Sequence, residues 1–420
     1  MKKISIIGLG YIGLPTAAIF AEHGCEVVGT DINSSVVETI NKGEIHIVEP
    51  GLDEVVRKAV LNGFLRASLE VEHADTFIIA VPTPFIKNHE PDLSYVKKAV
   101  MAIAPKLRSG NLIILESTSP VGTTNQIVKW LREIRQDLVF PSAVSDFAEV
   151  NIAYCPERVL PGQILRELVY NDRIIGGVSS ACSEAAKNLY SIFVLGKCHV
   201  TNSQTAEMCK LTENAFRDVN IAFANELSEI CDPLNIDVWE LISLANYHPR
   251  VNILQPGPGV GGHCIAVDPW FIVHSSPTQA KLIKQAREVN DGKPHYLIRK
   301  ILEVAKLVID PKIALFGLTY KPDVDDFRES PALQIARNVI SNSKDTEYMI
   351  VEPYAEDLKS ILPGVDNVPL VSVEHALISA NILVLLVDHK EFLAISSKKL
   401  LEKTIIDSRG CWVGNARLNR

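Results

Sequence analysis

Short apolar runs closed by turn residues recur along the chain, separated by stretches whose apolar residues return every three or four positions. Runs of the first kind lie at Lys3 to Ile7, Glu26 to Thr30, Thr76 to Val81, Leu112 to Glu116, Asn151 to Arg158, Arg173 to Val178 and Cys198 to Thr201. They predict strands, the fifth of them breaking at Pro156 and leaving Glu157 at its end. Leu14 to His23 has helical period. From Thr205 the pattern changes: there is no glycine before Pro233 and no earlier proline, which predicts a helix of about 28 residues. Val238 to Ala245 and Gln279 to Ala305 continue as helices. A second alternating series follows, with strands at Lys312 to Leu318, Glu347 to Glu352, Ala380 to Asp388 and Thr404 to Asp407, and a helix at Ser330 to Ile340. Alternation of this kind belongs to α/β domains with parallel sheets, and neither repeats nor low-complexity linkers stand out.

The first turn carries chemistry. Lys3 to Ile7 runs into Gly8-Leu-Gly10-Tyr11-Ile12-Gly13 and then a helix, the strand, G-x-G-x-x-G, helix order of a dinucleotide site. Gly8 permits the turn, Gly10 lets the backbone approach a pyrophosphate and Gly13 lets helix and strand pack closely. The second strand ends in Asp31, an acid placed to accept hydrogen bonds from ribose hydroxyls and to repel a 2′-phosphate, so NAD is expected rather than NADP. The loops after the next two strands, Pro82-Thr83-Pro84 and Ser117 to Thr124 with Thr118, fall at the carboxyl ends where such a sheet binds its ligand. The turn of the second series, Phe316-Gly-Leu-Thr-Tyr320-Lys321-Pro-Asp323, lacks the three-glycine spacing, so that half is expected to bind something other than a dinucleotide, with Lys321 and Arg328 available to a phosphate. The expected architecture is two Rossmann-like doubly wound domains joined by a central helical one, with bounds 1–203, 204–305 and 306–420.

A glycine- and proline-rich turn from Gly257 to Pro269 presents Cys264, with Asp268 four residues on. An isolated cysteine is more often a small core residue than a nucleophile; an NAD site elsewhere in the chain raises the second possibility. On the long helix Lys210 and Asn214 share a face, with Glu207 and Arg217 adjacent, and a cation with an amide suits an oxyanion. Together these groups suit oxidation through a cysteine thiohemiacetal, hydride loss to a thioester and hydrolysis, with Asp268, Glu157 or Thr118 positioning the water.

Composition narrows the class. At 420 residues the chain exceeds one ordinary core, and a net charge of -8 without a basic stripe argues against a nucleic-acid partner. The cysteines at 25, 155, 182, 198, 209, 231, 264 and 411 form no C-x-x-C pair, so neither a disulfide framework nor a metal site is expected. The apolar run after Met1-Lys2 stops at Gly8 and no later stretch reaches bilayer length, so a cytoplasmic location without membrane contact is expected.

Over essentially its full length the chain resembles the UDP-glucose/GDP-mannose dehydrogenase family, the nucleotide-sugar 6-dehydrogenases. The resemblance rests on Gly8-x-Gly-x-x-Gly13, Pro82-Thr-Pro84, Ser117-Thr-x-Pro-x-Gly-Thr123, Pro156-Glu157, Lys210-x-x-x-Asn214, Gly261-Gly-x-Cys264-x-x-x-Asp268, Tyr320-Lys-Pro-Asp323 and Arg328-Glu-Ser330. It implies Cys264 as nucleophile, Lys210 and Asn214 as oxyanion partners, and Asp268, Thr118 and Glu157 around the water. Substrate contacts are implied at Glu157, Arg158, Val159, Lys210, Asn214, Arg217, His248, Arg250, Gly261, Tyr320, Lys321 and Arg328. It further implies NAD at Gly8, Gly10, Tyr11, Ile12, Gly13, Asp31, Pro82, Thr83 and Thr118, a UDP-sugar substrate, and a homodimer through the central helix. The family's UDP-glucose enzymes carry Lys where this chain has Val267, and a second acid where it has Pro161. Pro156 to Gly162 and Gly261 to Pro269 look instead like the branch acting on UDP-N-acetylhexosamines, and within it the resemblance of His248 to Pro269 implies UDP-N-acetyl-D-mannosamine, oxidised to its uronate for surface polysaccharide synthesis. The alternatives are the same chemistry on UDP-N-acetylglucosamine or UDP-glucose, a single-step β-hydroxyacid dehydrogenase that would not need Cys264, and a scaffold that keeps the fold without turnover.

Overall fold

The computed structural model describes residues 1–86, 89–143, 147–160, 162–262, 264–343, 346–365 and 367–412. The chain divides into two compact units, residues 1–213 with 274–276, and residues 214–273 with 277–420.

The first unit is built on an eight-stranded sheet of β1 (Lys3–Ile7), β2 (Glu26–Thr30), β3 (Leu65–Ser68), β4 (Thr76–Ile79), β5 (Leu112–Leu115), β6 (Asn151–Tyr154), β7 (Arg173–Gly177) and β8 (Cys198–Asn202), in the order β3-β2-β1-β4-β5-β6-β7-β8. All neighbours are parallel except β6 and β7. Both faces are buried, and the period of two along each strand sorts its residues between two cores: Ile78, Ile114 and Ala153 pack with the helices Gly13–Glu22 and Leu52–Leu61, whereas Phe77, Ile79, Ile113 and Leu115 pack with Ser94–Ile103 and Thr123–Ile134. The order in which strands are added reverses between β1 and β4, which opens the crevice at the end of β1, where Gly8 lies. β3 and its two preceding helices were not expected from the sequence pattern, since the alternation of Leu65–Ser68 spans only four residues and is too short to stand out.

The predicted long helix runs from Ser203 to Cys231, and a second from Lys281 to Leu307. The latter continues through Pro294, although proline removes one ladder donor. Between the segments of these helices that belong to the second unit lies a buried polar chain. Arg287 Nη1 donates to Asp218 Oδ1 at 2.6 Å, Asn290 Nδ2 to the same oxygen at 2.8 Å, and Asn225 Nδ2 to Asn290 Oδ1 at 2.9 Å. Asn225 Oδ1 then accepts from the Gly257 amide at 2.9 Å, which ties the start of the cysteine loop to the helix pair. The unit's sheet holds β9 (Lys312–Phe316), β10 (Glu347–Val351), β11 (Ile382–Leu385) and β12 (Thr404–Asp407), all parallel in the order β10-β9-β11-β12.

One device occurs twice. Gly8 and Gly317, at φ +94° and +87°, each end the first strand of a sheet. The amide that follows, of Leu9 or Leu318, donates to the acid closing the adjacent strand, Asp31 at 3.0 Å or Glu352 at 2.6 Å. The repetition escapes the sequence because shared backbone geometry leaves only Gly-Leu in common. Among the described residues no helix is long and apolar enough to cross a membrane.

Candidate active site

In the first unit the glycine motif forms a cradle at the start of a helix. A β-carbon at Gly13 would lie 1.8 Å from the Gly8 carbonyl oxygen, and one at Gly8 2.6 Å from that of Ala80, so packing alone demands glycine at both. A β-carbon at Gly10 would meet nothing within 4 Å. Its glycine is therefore not required by the protein's own contacts, which fits close approach of a pyrophosphate to the helix N-terminus. Asp31, half-buried, accepts from Leu9 at 3.0 Å and Asn33 at 2.9 Å, which aims its carboxylate at the end of β2. Tyr11 and Pro82 are exposed; Ile12, Thr83 and Thr118 are half-buried. Thr83 Oγ1 donates to the Thr118 carbonyl at 2.5 Å and Ser117 Oγ to that of Val81 at 2.7 Å, which locks the loops after β4 and β5 together. These residues fit NAD. Gly10→Ala is expected to leave the melting temperature within about 1 °C while weakening NAD by about tenfold or more, a loss of roughly 1.4 kcal/mol. Gly13→Ala, with its clash, is expected to lower the melting temperature; NADH fluorescence titration and thermal melts check both.

Glu157 follows β6 and is buried, its Oε2 accepting from the Val159 amide at 2.8 Å. Burial pushes its carboxyl up, opposed by that backbone bond and by the charges of Arg173 and Lys210. Arg158 pairs with Glu213 at 2.6 Å, and Val159 is half-buried. Glu207, expected on the oxyanion face, is instead fully buried and caps the helix Thr123–Ile134, accepting from Gly122 at 2.6 Å and from Thr124 at 2.7 Å. Only the fold brings a capping acid to a helix start so distant in sequence.

In the second unit Cys264 is exposed and its carbonyl accepts from the Asp268 amide at 2.9 Å. Asp268 opens the helix Asp268–Ser275, is buried, and accepts from Asn214 Nδ2 at 2.5 Å, which fixes the orientation of that amide. The loop's glycines let it lie against two further motifs. A β-carbon at Gly261 would stand 2.5 Å from the Glu329 carbonyl oxygen, and one at Gly262, where φ is +82°, 3.1 Å from the Tyr320 ring. Cys264, Asp268, Asn214, Gly261 and Tyr320 thus belong to one neighbourhood. Arg328 Nη2 is held by Asp326 at 2.6 Å, while Lys321, Arg217, His248 and Arg250 are exposed. Pro161 and His263 lie outside the described residues.

Against known proteins, three family models match in succession: the NAD binding domain of the UDP-glucose/GDP-mannose dehydrogenase family over residues 2–194, its central domain over 204–292 and its UDP binding domain over 314–414. The chain belongs to this family. It is 58% identical over 401 residues to the UDP-N-acetyl-D-mannosamine dehydrogenase of Campylobacter jejuni, covering 95% of this chain and 98% of that protein. It is 57% identical over 411 residues to the NDP-N-acetyl-D-galactosaminuronic acid dehydrogenase of Ralstonia nicotianae, covering 98% and 96%. Among solved structures, the UDP-N-acetyl-mannosamine dehydrogenase of S. aureus superposes with a TM-score of 0.82 at 44% identity, over 97% of this chain and 95% of that one. Membership makes the chain an NAD-dependent oxidoreductase of nucleotide sugars.

Two further groups of the first unit escaped sequence reasoning. Glu116, at the end of β5, and Arg173, which opens β7, are buried side chains 3.5 Å apart. Their only sequence signal was their place at strand ends, shared with many surface residues.

Proposed function

We propose that this chain oxidises the C6 alcohol of UDP-N-acetyl-D-mannosamine to the uronate in two NAD-dependent steps, for surface polysaccharide synthesis. The observation that carries this reading is exposed Cys264, held in a glycine turn one helical turn before buried Asp268, which in turn orients Asn214. NAD, when bound, accepts the hydride in each oxidation. After the first, Cys264 Sγ adds to the C6 aldehyde, and Lys210 with the second N–H of Asn214 stabilises the oxyanion. Loss of the second hydride leaves a thioester on Cys264. Water positioned by Glu157, Asp268 or Thr118 then attacks its carbonyl, the C–S bond breaks, and the uronate and the thiolate separate. Arg250, His248, Arg217, Tyr320, Lys321 and Arg328 contact the nucleotide sugar, as do Arg158, Val159 and Gly261. Residues 1–203 carry NAD, 204–305 the cysteine loop and the subunit contact, and 306–420 the UDP.

The subunit contact is a homodimer. Its support is an exposed apolar stripe on the long helix, where Phe216, Phe223 and Ile230 recur every seventh residue at 70%, 51% and 50% exposure. A second choice of sugar, UDP-N-acetyl-D-galactosamine, is favoured by the R. nicotianae relative, which matches this chain as well as the mannosamine enzymes do.

The test counts NADH formed per sugar consumed, with UDP-N-acetylmannosamine, UDP-N-acetylgalactosamine, UDP-N-acetylglucosamine and UDP-glucose offered separately to a preparation whose mass is measured by light scattering. Two NADH per mannosamine compound, and twice the chain mass, are expected. Turnover confined to another sugar, one NADH per sugar, or a monomer refutes the corresponding part.

A further inference from the structure

Glu352 closes β10 as Asp31 closes β2, and the two acids are held alike. Glu352 Oε2 accepts from the Leu318 amide at 2.6 Å and its Oε1 from the Tyr354 amide at 3.0 Å, as Asp31 accepts from Leu9 and Asn33. Their surroundings differ. Asp31 is half-buried, whereas Glu352 is buried with the imidazole of His389 3.4 Å from its Oε2. His389 is buried too, between the rings of Tyr354 and Phe392 at centroid distances of 5.1 and 5.2 Å. Buried ring nitrogens need partners, and both have them. The Asp323 amide donates to Nδ1 at 3.0 Å. Nδ1 therefore carries a lone pair, and the single N–H of the ring is on Nε2. The Asp323 carboxylate, 3.9 Å from Nδ1, is beyond hydrogen-bond reach of it. Nε2 faces Glu352 Oε2 and, at 3.3 Å, Thr319 Oγ1, whose own hydrogen goes to the Lys321 carbonyl at 2.9 Å.

Both sides of the imidazole thus lead to one turn. Asp323 has φ +60°, a conformation that a residue with a side chain keeps only where its surroundings hold it. Its amide is held by His389 and its Oδ1 by the Lys390 amide at 3.1 Å. The same turn presents exposed Lys321 and the Tyr320 ring, against which Gly262 of the cysteine loop lies. We propose that His389 is a positioning residue for the nucleotide sugar, its Nδ1 lone pair holding the Tyr320–Asp323 turn in the shape that receives the nucleotide. This rests on the reading of Tyr320 and Lys321 as contacts of the UDP-sugar. His389, being buried, acts through the turn.

The probe is UDP, common to every sugar considered, titrated by calorimetry into the full chain, with an NADH fluorescence titration as control. Two amides separate the two nitrogens of the imidazole, because the oxygen of Asn falls near Nδ1 and the amide of Gln near Nε2. His389→Gln keeps a donor for Glu352 and Thr319 but leaves the Asp323 amide without an acceptor, and is expected to weaken UDP about tenfold with NADH affinity unchanged. His389→Asn keeps that acceptor and is expected to bind UDP within about twofold of the unaltered protein. Should His389→Gln fail to fold, isotopic labelling of the histidine nitrogens, with His389 assigned by its absence from His389→Asn, reads the tautomer by NMR. A proton on Nε2, with and without UDP, is expected, and a proton on Nδ1 overturns the proposal. Weakening of UDP in both amide variants alike, in neither, or together with an equal loss of NADH affinity also overturns it, since a merely structural role would not distinguish the two nitrogens. Lys321→Met separates the two levels. If UDP affinity is unmoved in it, the turn does not meet the nucleotide and His389 falls with that reading. If Lys321→Met weakens UDP while His389→Gln does not, only the role of His389 fails.

Discussion

Cys264→Ser is expected to reduce NADH formation from the UDP-sugar by at least about 10³-fold, with protein yield and melting temperature unchanged. The side chain is exposed on its loop, so exchanging sulfur for oxygen changes little buried surface. What disappears is chemical. A thiol is partly ionised near neutral pH and adds readily to an aldehyde, whereas a serine hydroxyl is not. An ester formed on serine would also hydrolyse more slowly than a thioester, because alkoxide is the poorer leaving group. Whatever NADH appears should not exceed one per sugar and one burst per site, which a stopped-flow absorbance trace would read. Steady turnover near the rate of the unaltered enzyme would mean that the cysteine takes no covalent part and that the chain performs a single hydride transfer, as a β-hydroxyacid dehydrogenase does.

Arg287→Met is expected to destabilise the second unit by about 3–5 kcal/mol, the cost of leaving a buried carboxylate without its cation. Asp218, fully buried, would keep only its bonds from Asn290, and burial already pushes its carboxyl up against the pull of Arg287. For a unit of this size that corresponds to roughly 6–20 °C in melting temperature by calorimetry. The exposed pair Lys284–Glu288 on the same helix, 3.7 Å apart, gives the contrast: Glu288→Ala should change stability by no more than about 0.5 kcal/mol. Because Asp218 is joined through Asn290 and Asn225 to the Gly257 amide, Arg287→Met should also lower kcat below the unfolding range. A melting temperature within about 1 °C of the unaltered protein would show the Arg287–Asp218 pair to be dispensable, a ΔΔG below roughly 0.5 kcal/mol.

Much of the fold was legible before any coordinates. Every strand expected from the apolar runs exists, and boundaries differ by a few residues at most, because a ladder of backbone hydrogen bonds ends where the partner strand does, whatever apolar residues follow. The long helix was visible because neither glycine nor proline interrupts it before Pro233. The short strand Leu65–Ser68 and the helix opening at Asp268 were not, the first alternating over only four residues and the second beginning inside a glycine-rich turn.

The chain's own residues determined those features whose causes are local. Gly8, Gly10 and Gly13 act within one turn, Asp31 closes the next strand, and Cys264 and Asp268 are separated by a single helical turn, so each pattern is complete within a short stretch. Tertiary structure alone decided which distant groups share charge and hydrogen bonds. Glu207 became a helix cap, Arg173 met Glu116, and the Gly261 backbone came against Glu329, each through strand order and helix packing. The physical reason is that apolar periodicity and turn preference depend on neighbours along the chain, whereas the partner of a buried charge depends on which elements the folded core places side by side.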